Sequence, residues 1–315
     1  MKTVEVILAS YNGGKYIKEQ IISILMNFDT LNDYSCKLLI SDDASTDSTV
    51  ATIKEMQGYD DRVFLLDSNK KGGVKENFHF LMKNTSADYI FFSDQDDLWL
   101  PNKMRIFLER FSLLEKKTCG PMLVHSDLSV SDANLSPVNV SMFGYQKLNK
   151  TPDFSNLIVS NSITGCVMAC NKSLINIAKN SDINNSIMHD WYLGLCASAF
   201  GVISYIDAPL ILYRQHGNNQ VGAKQFSILK LLFAGGGGQL HKARNSIHLT
   251  KLQSSIFLND FHQQIDSHKS RLLKEYIESF DKGIFSRGRL FLRKGVRKNG
   301  IVRNTVFFLF YVLFK

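Results

Sequence analysis

The sequence predicts an α/β domain whose parallel sheet is covered by helices on both faces, followed by a helical C-terminal region. Three observations carry this expectation. Over residues 4–93, short apolar runs alternate with segments of helical spacing, the pattern of consecutive βαβ units. Three of those runs end in polar sequences, SYNGG after Ala9, SDDASTD from Ser41 and SDQDD from Ser93. In parallel sheets ligands bind beyond the carboxyl ends of the strands, so these ends should line one crevice. Finally, a chain of 315 residues, 44% hydrophobic and 21% charged, is long enough for one large domain plus an appendage.

Taken in order, Val4–Ala9 reads as a buried strand, Ser10–Gly14 as a turn, and Lys15–Asn27 as a helix with Ile17, Ile21, Ile24 and Leu25 on one face. Lys37–Ile40 is a second strand, and Ser45–Ser48 an N-cap region for a helix over Thr49–Gln57, with Ser45 or Asp47 suited to the cap. Arg62–Leu66 is a third strand, Lys75–Lys83 a helix behind Gly72-Gly73, and Asp88–Ser93 a fourth strand. A helix follows Pro101 to about Lys116, then a strand over Met122–Leu128. Ser131–Pro152 is polar and reads as loop; Leu157–Cys170 holds a turn at Ile163-Thr164-Gly165 and then a strand. Beyond lie Met188–Gly201 (MHDWYLGLCASAFG), Val202–Asn219 (ending YRQHGNN) and the glycine run Gly235–Gly238, a flexible joint or tight turn. The implied division is 1–225 for the α/β domain and 226–315 for the helical region.

The net charge of +8 is local. From Lys282 to Lys315 there are nine Lys or Arg and no Asp or Glu, which leaves 28 basic against 29 acidic residues in the body. A neutral body argues against nucleic acid as a partner, and the basic tail suits an anionic surface. That tail mixes its charges with Ile, Leu, Phe and Val, and Val306–Phe314 is too short to span a bilayer. It reads as an interfacial helix on an anionic membrane, against the alternatives of a core helix with a solvated basic face or a homo-oligomer contact. Cys36, Cys119, Cys166, Cys170 and Cys196 are odd in number and without C-x-x-C spacing, which fits reduced core thiols in a cytoplasmic protein held at the inner face of the plasma membrane.

The strand end at Asp94, Asp96 and Asp97 poses the main chemical question. Like charges this close repel and raise one another's pKa. Such a cluster is cheap only when fully solvated or when a cation sits among the oxygens. Asp94 and Asp96 alternate, so both can point into one crevice, where Mg²⁺ or Mn²⁺ would find hard oxygen ligands. Asp97 suits a helix cap better than a third ligand.

Six ordered motifs, ASYNG, SDDASTD, FSDQDDLW, TG, HDWY and YRQHGNN, together resemble family 2 glycosyltransferases across about residues 3–220. FSDQDDLW, HDWY and YRQHGNN more narrowly resemble bacterial rhamnosyltransferases of cell-wall and O-antigen synthesis. The resemblance implies a GT-A fold, a Rossmann-like mixed sheet flanked by helices, and a nucleoside-diphosphate sugar as donor. It implies that Asp94 and Asp96 hold a metal on the diphosphate, that Asp43 accepts the imide N–H of a uracil or thymine, and that Ala9 and Tyr11 flank the base. Gly73 and Asn77 fall on the nucleoside side. Asp190 is the expected catalytic base, with helix N-capping as its alternative role. His189 stands where the family usually has an acid. Trp191 and Tyr192 are either an apolar wall of the site or core. Thr164 and Gly165 would shape the acceptor side. His216 is either a further metal ligand or structural, and the resemblance implies that Arg214 or nearby groups touch the diphosphate. His125 and Asp127 read as structural. A lipid-linked glycan is the implied acceptor, with L-rhamnose from dTDP-L-rhamnose as the narrow reading and a UDP-hexose donor as the alternative.

Two other classes fit less well. A sugar-phosphate nucleotidyltransferase needs a basic glycine-rich loop after the first strand, and SYNGGK has one lysine. A scaffold with a degenerate site would lack Asp94, Asp96 or Asp190, and all three are present.

Overall fold

The computed structural model describes residues 1–216 and 237–313. Among these, nine strands form one sheet: β1 Lys2–Ser10, β2 Tyr34–Asp42, β3 Val63–Asp67, β4 Tyr89–Ser93, β5 Leu98–Trp99, β6 Met122–Ser131, β7 Pro137–Asn139, β8 Met168–Asn171 and β9 Val202–Arg214. Their order is β3-β2-β1-β4-β8-β6-β9-β5, with β7 on β6. The first four are parallel, as the βαβ pattern predicts; β1 runs in register with β2 from Lys2↔Tyr34 to Ser10↔Asp42. β8 then enters antiparallel between β4 and β6, so the complete sheet is mixed.

Alternation along β1 sorts its side chains to two cores. Val4, Val6 and Leu8 face α1 (Ile17–Phe28), α2 (Thr49–Tyr59) and α4 (Lys103–Glu115) through Ile21, Ile53 and Phe107. Ile7 faces the opposite core with Phe78 of α3 (Val74–Asn84) and Tyr192 of α8 (His189–Phe200). The short helices α5 (Met142–Gln146), α6 (Phe154–Leu157) and α7 (Lys172–Ala178) fill the connections.

The C-terminal helices α9 (Gly237–Phe261), α10 (Ser267–Ser279), α11 (Ile284–Arg293) and α12 (Ile301–Phe307) share the α3/α8 core through Phe257, Tyr276, Leu290 and Phe307. Buried hydroxyls lock them together, Thr250 Oγ1 with the Tyr276 phenol and Ser279 Oγ with the Tyr311 phenol, both at 2.7 Å.

Three expectations change. The stretch read as loop, Ser131–Pro152, contains β7 and α5. The buried Asp127 carboxylate builds that region by accepting from the Ser141 hydroxyl and the Phe143 N–H, while Ser141 caps α5 at Gly144. The apolar run from Val306 is not a surface segment: Phe307, Tyr311 and Val312 are buried in the core. Gly237 and Gly238 begin α9, while Gly235 and Gly236 lie outside the described residues.

Candidate active site

The ends of β1, β2 and β4 open on one cavity of about 1200 Å³. Ala9, Tyr11, Asp43, Asp94, Asp96, Asp190 and His216 all line it. The loops carrying them are cross-linked. Gln95, between the two aspartates, exchanges two hydrogen bonds with the Tyr11 backbone, accepting from its N–H (2.8 Å) and donating to its carbonyl (2.9 Å). Asn12, left-handed at φ 49°, accepts from the Thr46 N–H at 2.9 Å and so ties the first loop to the second. Asp43 accepts three backbone N–H groups, from Lys71, Gly72 and Gly73. Its carboxylate thereby fixes the Gly72-Gly73 turn, with acceptor capacity left for one more donor. Asn77 donates to the carbonyls of Ser41 and Ser10 and anchors α3 to these strand ends.

At the acidic strand end the three carboxylates occupy different settings. Asp94 and Asp96 face the cavity. Asp97 is fully buried, and its Oδ1 accepts from the Arg214 N–H at 3.2 Å. It caps no helix, since α4 begins only at Lys103. Burial and the neighbouring carboxylates push Asp94 and Asp97 up from the ordinary range. Asp94 is only part-buried, open to the cavity, so a cation entering there meets an under-compensated carboxylate. Asp190 adds to the push on Asp94, which places both charges in one field. Beneath lies Lys103, fully buried, donating to the Cys166 carbonyl (2.9 Å) with its ammonium 3.4 Å from the Trp99 ring centroid. Burial pulls its pKa down to about 7. Oxygens of Asp94 and Asp97 also lie close to the Cys166 sulfur, but burial holds that thiol protonated, a poor site for a hard ion.

His216 Nε2 lies 2.7 Å from Asp96 Oδ2, and its ring stacks on Tyr16. Asp94, Asp96 and His216 thus bring two carboxylates and an imidazole to one cavity, whereas among the described residues the group with ligand atoms within 4.8 Å of one another is Asp94, Asp97 and Cys166. Gly217, Asn218 and Asn219 of the same motif lie outside the described residues. Arg214 is corrected from its expected place on a diphosphate. It is buried, donating to the Asp96 carbonyl (2.8 Å) and the Ala133 carbonyl (2.8 Å) and pairing with Glu19. It holds the acidic turn in shape from behind.

Asp190 faces the same cavity from α8. It is the second residue of that helix, not its N-cap, which is Met188. Its Oδ1 accepts from the Trp191 N–H (2.6 Å) and Asn161 Nδ2 (3.2 Å), and Oδ2 from the Gly165 N–H (3.2 Å). Burial outweighs these bonds and pushes Asp190 up to about 7, the range of a general base working near neutrality. Asn161 is itself clamped, its Oδ1 on the Ile163 N–H and its Nδ2 on the Ile163 carbonyl. His189 stacks on Phe78 at 4.2 Å, kept neutral by burial, and neither ring nitrogen has a partner among the described residues. A Cβ at Gly165 would sit 3.0 Å from His189 Nε2, so a larger residue there would require the imidazole to shift by a few tenths of an ångström.

Trp191 and Tyr192 are core: the indole donates to the Leu157 carbonyl and the Tyr192 phenol to Asp260. His125 is buried against Phe143 and Tyr205. Gln95, Lys103 and Asn161 were missed by sequence reasoning. Gln95 and Lys103 lie inside or just after the acidic motif, a usable signal, while Asn161 has none.

A mixed sheet flanked by helices, with a carboxylate-rich crevice at its carboxyl edge, is a GT-A fold. The model of glycosyl transferase family 2 matches residues 5–174, and the chain belongs to that family. Among curated relatives, the dTDP-rhamnosyl transferase RfbG of Shigella flexneri is 33% identical over 69% of this chain and 74% of its own length. WfgD of Escherichia coli, a UDP-Glc:alpha-D-GlcNAc-diphosphoundecaprenol beta-1,3-glucosyltransferase, is 24% identical over 72% of this chain and 82% of its own. Among solved structures, Staphylococcus aureus TarS 1-349 in complex with UDP-GlcNAc superposes with a TM-score of 0.57 at 15% identity, covering 94% of this chain and 74% of that one. Mannosyltransferase PcManGT from Pyrobaculum calidifontis, in complex with GDP-Man and Mn²⁺, gives 0.50 at 13% identity over 91% and 72%. The GT-A expectation and the family resemblance are thereby met.

Proposed function

We propose that this enzyme transfers L-rhamnose from dTDP-L-rhamnose to a hydroxyl of a lipid-linked glycan, inverting the anomeric centre, with a divalent cation bound. The observation that carries the reading is the meeting in one cavity of the Asp94/Asp96/His216 set and the buried Asp190. Asp94, Asp96 and His216 would hold Mg²⁺ or Mn²⁺, which when bound neutralises charge developing on the departing diphosphate. Asp43, fixed by three N–H bonds, keeps a lone pair for a pyrimidine imide between Ala9 and Tyr11. Asp190 removes the acceptor hydroxyl's proton as the oxygen bonds to the anomeric carbon and the bond to the diphosphate breaks on the opposite face. Gly165, Trp191 and Asn161 keep its carboxylate aimed while it is ionised.

The rhamnosyl choice is supported by the likeness to RfbG; the WfgD likeness supports a UDP-hexose donor at lower identity. Titration calorimetry and radiolabel transfer with dTDP-L-rhamnose, UDP-glucose and UDP-N-acetylglucosamine separate these donors. Asp190→Asn should lower turnover by about 10²–10⁴-fold with nucleotide affinity retained. Turnover like the wild type removes Asp190 as the base.

A further inference from the structure

The sequence reads the basic tail, Gly283–Lys315, as an interfacial helix, but the fold puts Phe307, Tyr311 and Val312 of its apolar run in the core. The surface that remains is elsewhere. On α11, Phe285, Arg289, Leu292 and Arg293 are spaced to share one face. Phe285 is 91% and Leu292 63% exposed, and Arg289 and Arg293 are also exposed. The opposite side of α11 packs inward through Arg287 and Leu290. Ile301, 84% exposed, and the exposed Arg297 extend the same segment. No Asp or Glu occurs from Lys282 onward, so nothing within the segment offsets its charge.

This segment is bonded to the rim of the active site. The Arg297 carbonyl accepts from Asn156 (2.7 Å), the Asn299 N–H donates to Ser160 Oγ (3.2 Å), and Asn299 Nδ2 reaches the Asn161 carbonyl (3.4 Å). Arg303 donates to the Gln146 carbonyl at 3.0 Å. Gln146 and Asn161 line the cavity, and Asn161 touches Asp190. Ile301 sits two residues from each of the rim contacts Asn299 and Arg303.

The geometry points to residues 284–303 as a membrane-docking face that seats the enzyme on an anionic bilayer, with the Gln146/Asn161 side of the cavity at the lipid surface. Exposed Phe and Leu flanked by arginines suit the interface, where apolar groups enter the acyl boundary and cations stay among headgroups. Docking there deepens the functional reading, because it brings the base side of the cavity to a lipid-linked acceptor. The docking itself does not depend on which sugar is moved.

The test uses the full chain with phosphatidylglycerol/phosphatidylcholine vesicles against phosphatidylcholine alone, read by co-sedimentation. Arg289→Gln with Arg293→Gln should weaken binding to the anionic vesicles by about fivefold per arginine, ~25-fold together. Phe285→Ser with Leu292→Ser should weaken it at least tenfold. Neither pair should change the melting temperature or donor binding by calorimetry. Wild-type pelleting by both double variants overturns the proposal, as does equal wild-type binding to both vesicle types. Conversion of a dimer to a monomer by Phe285→Ser/Leu292→Ser in sedimentation velocity, with vesicle binding unchanged, also overturns it and assigns the face to a second copy. Loss of donor binding in a protein that still docks defeats the transferase reading and leaves the docking face standing.

Discussion

Asn161→Asp tests whether the base depends on its neighbour. The substitution is isosteric and keeps the acceptor for the Ile163 N–H, but it gives up the donor to the Ile163 carbonyl, so one of the two bonds that clamp the turn before Gly165 remains. It removes the donor 3.2 Å from Asp190 Oδ1 and puts a second carboxylate in its place. A hydrogen bond to an ionised group contributes about 1.5–3 kcal/mol, or about one to two pKa units. Repulsion between unit charges 4 Å apart at an effective dielectric of 20 has an upper bound near 4 kcal/mol, about three units. Asp190 starts at about 7. Either contribution acting alone raises the pKa by about one to three units, which cuts the ionised fraction near neutrality, and with it turnover, by about 5- to 500-fold. The sign follows from the role: a base works deprotonated, so a higher pKa moves the acid limb of the kcat/KM profile to higher pH. The assay is that profile, measured with saturating cation. An alkaline shift with recovery at high pH is expected. A uniform loss at every pH, or an unmoved limb, would refute the electrostatic link between Asn161 and Asp190.

His216→Ala should weaken donor binding in the presence of Mn²⁺ and leave metal-free nucleotide binding alone; calorimetry with equal affinities in both conditions contradicts its role as a ligand. Lys103→Met strips the Cys166 carbonyl of its donor, a cost of about 1–3 kcal/mol, or about 2–4 °C in melting temperature per kcal/mol. Mn²⁺ should restore part of that loss by supplying positive charge beside Asp94, and an identical drop with and without metal excludes Lys103 as a counter-charge. Gly201→Ala places a methyl 1.8 Å from the Pro121 carbonyl oxygen. The β6–β9 pairing must then open locally, which should destabilise the protein by at least about 1–3 kcal/mol in denaturant melts, and a neutral result would mean the chain relaxes there.

The sheet and the crevice were legible because polar groups interrupt apolar strands only where something must be bound. Asp43 and Asp94 stand directly after the ends of β2 and β4, and Asp96 lies in the bend that follows β4. What stayed hidden depends on long-range pairing. Asn161 is an ordinary polar residue until the fold brings it against Asp190, 29 positions away. Arg214 looked like a phosphate ligand because arginines commonly are. Its burial behind the acidic turn follows from β9 pairing along β6, which local sequence does not encode. The β7–α5 segment was hidden for a similar reason, since a single buried carboxylate, Asp127, organises a run that is polar in composition.

The tail shows the same limit with a functional consequence. A short apolar run beside basic residues satisfies both a lipid interface and a protein core, and periodicity alone cannot choose. Here the core takes Phe307, Tyr311 and Val312, and a different helix presents Phe285 and Leu292. The link from Asn299 through Asn161 to Asp190 then makes the C-terminal segment part of the support of the base. Truncating residues 283–315 would therefore lose activity whether or not a membrane is involved, because it strips a wall from the core and a contact from Asn161. Point changes on the exposed face of α11 leave those contacts in place, and only they can separate docking from catalysis.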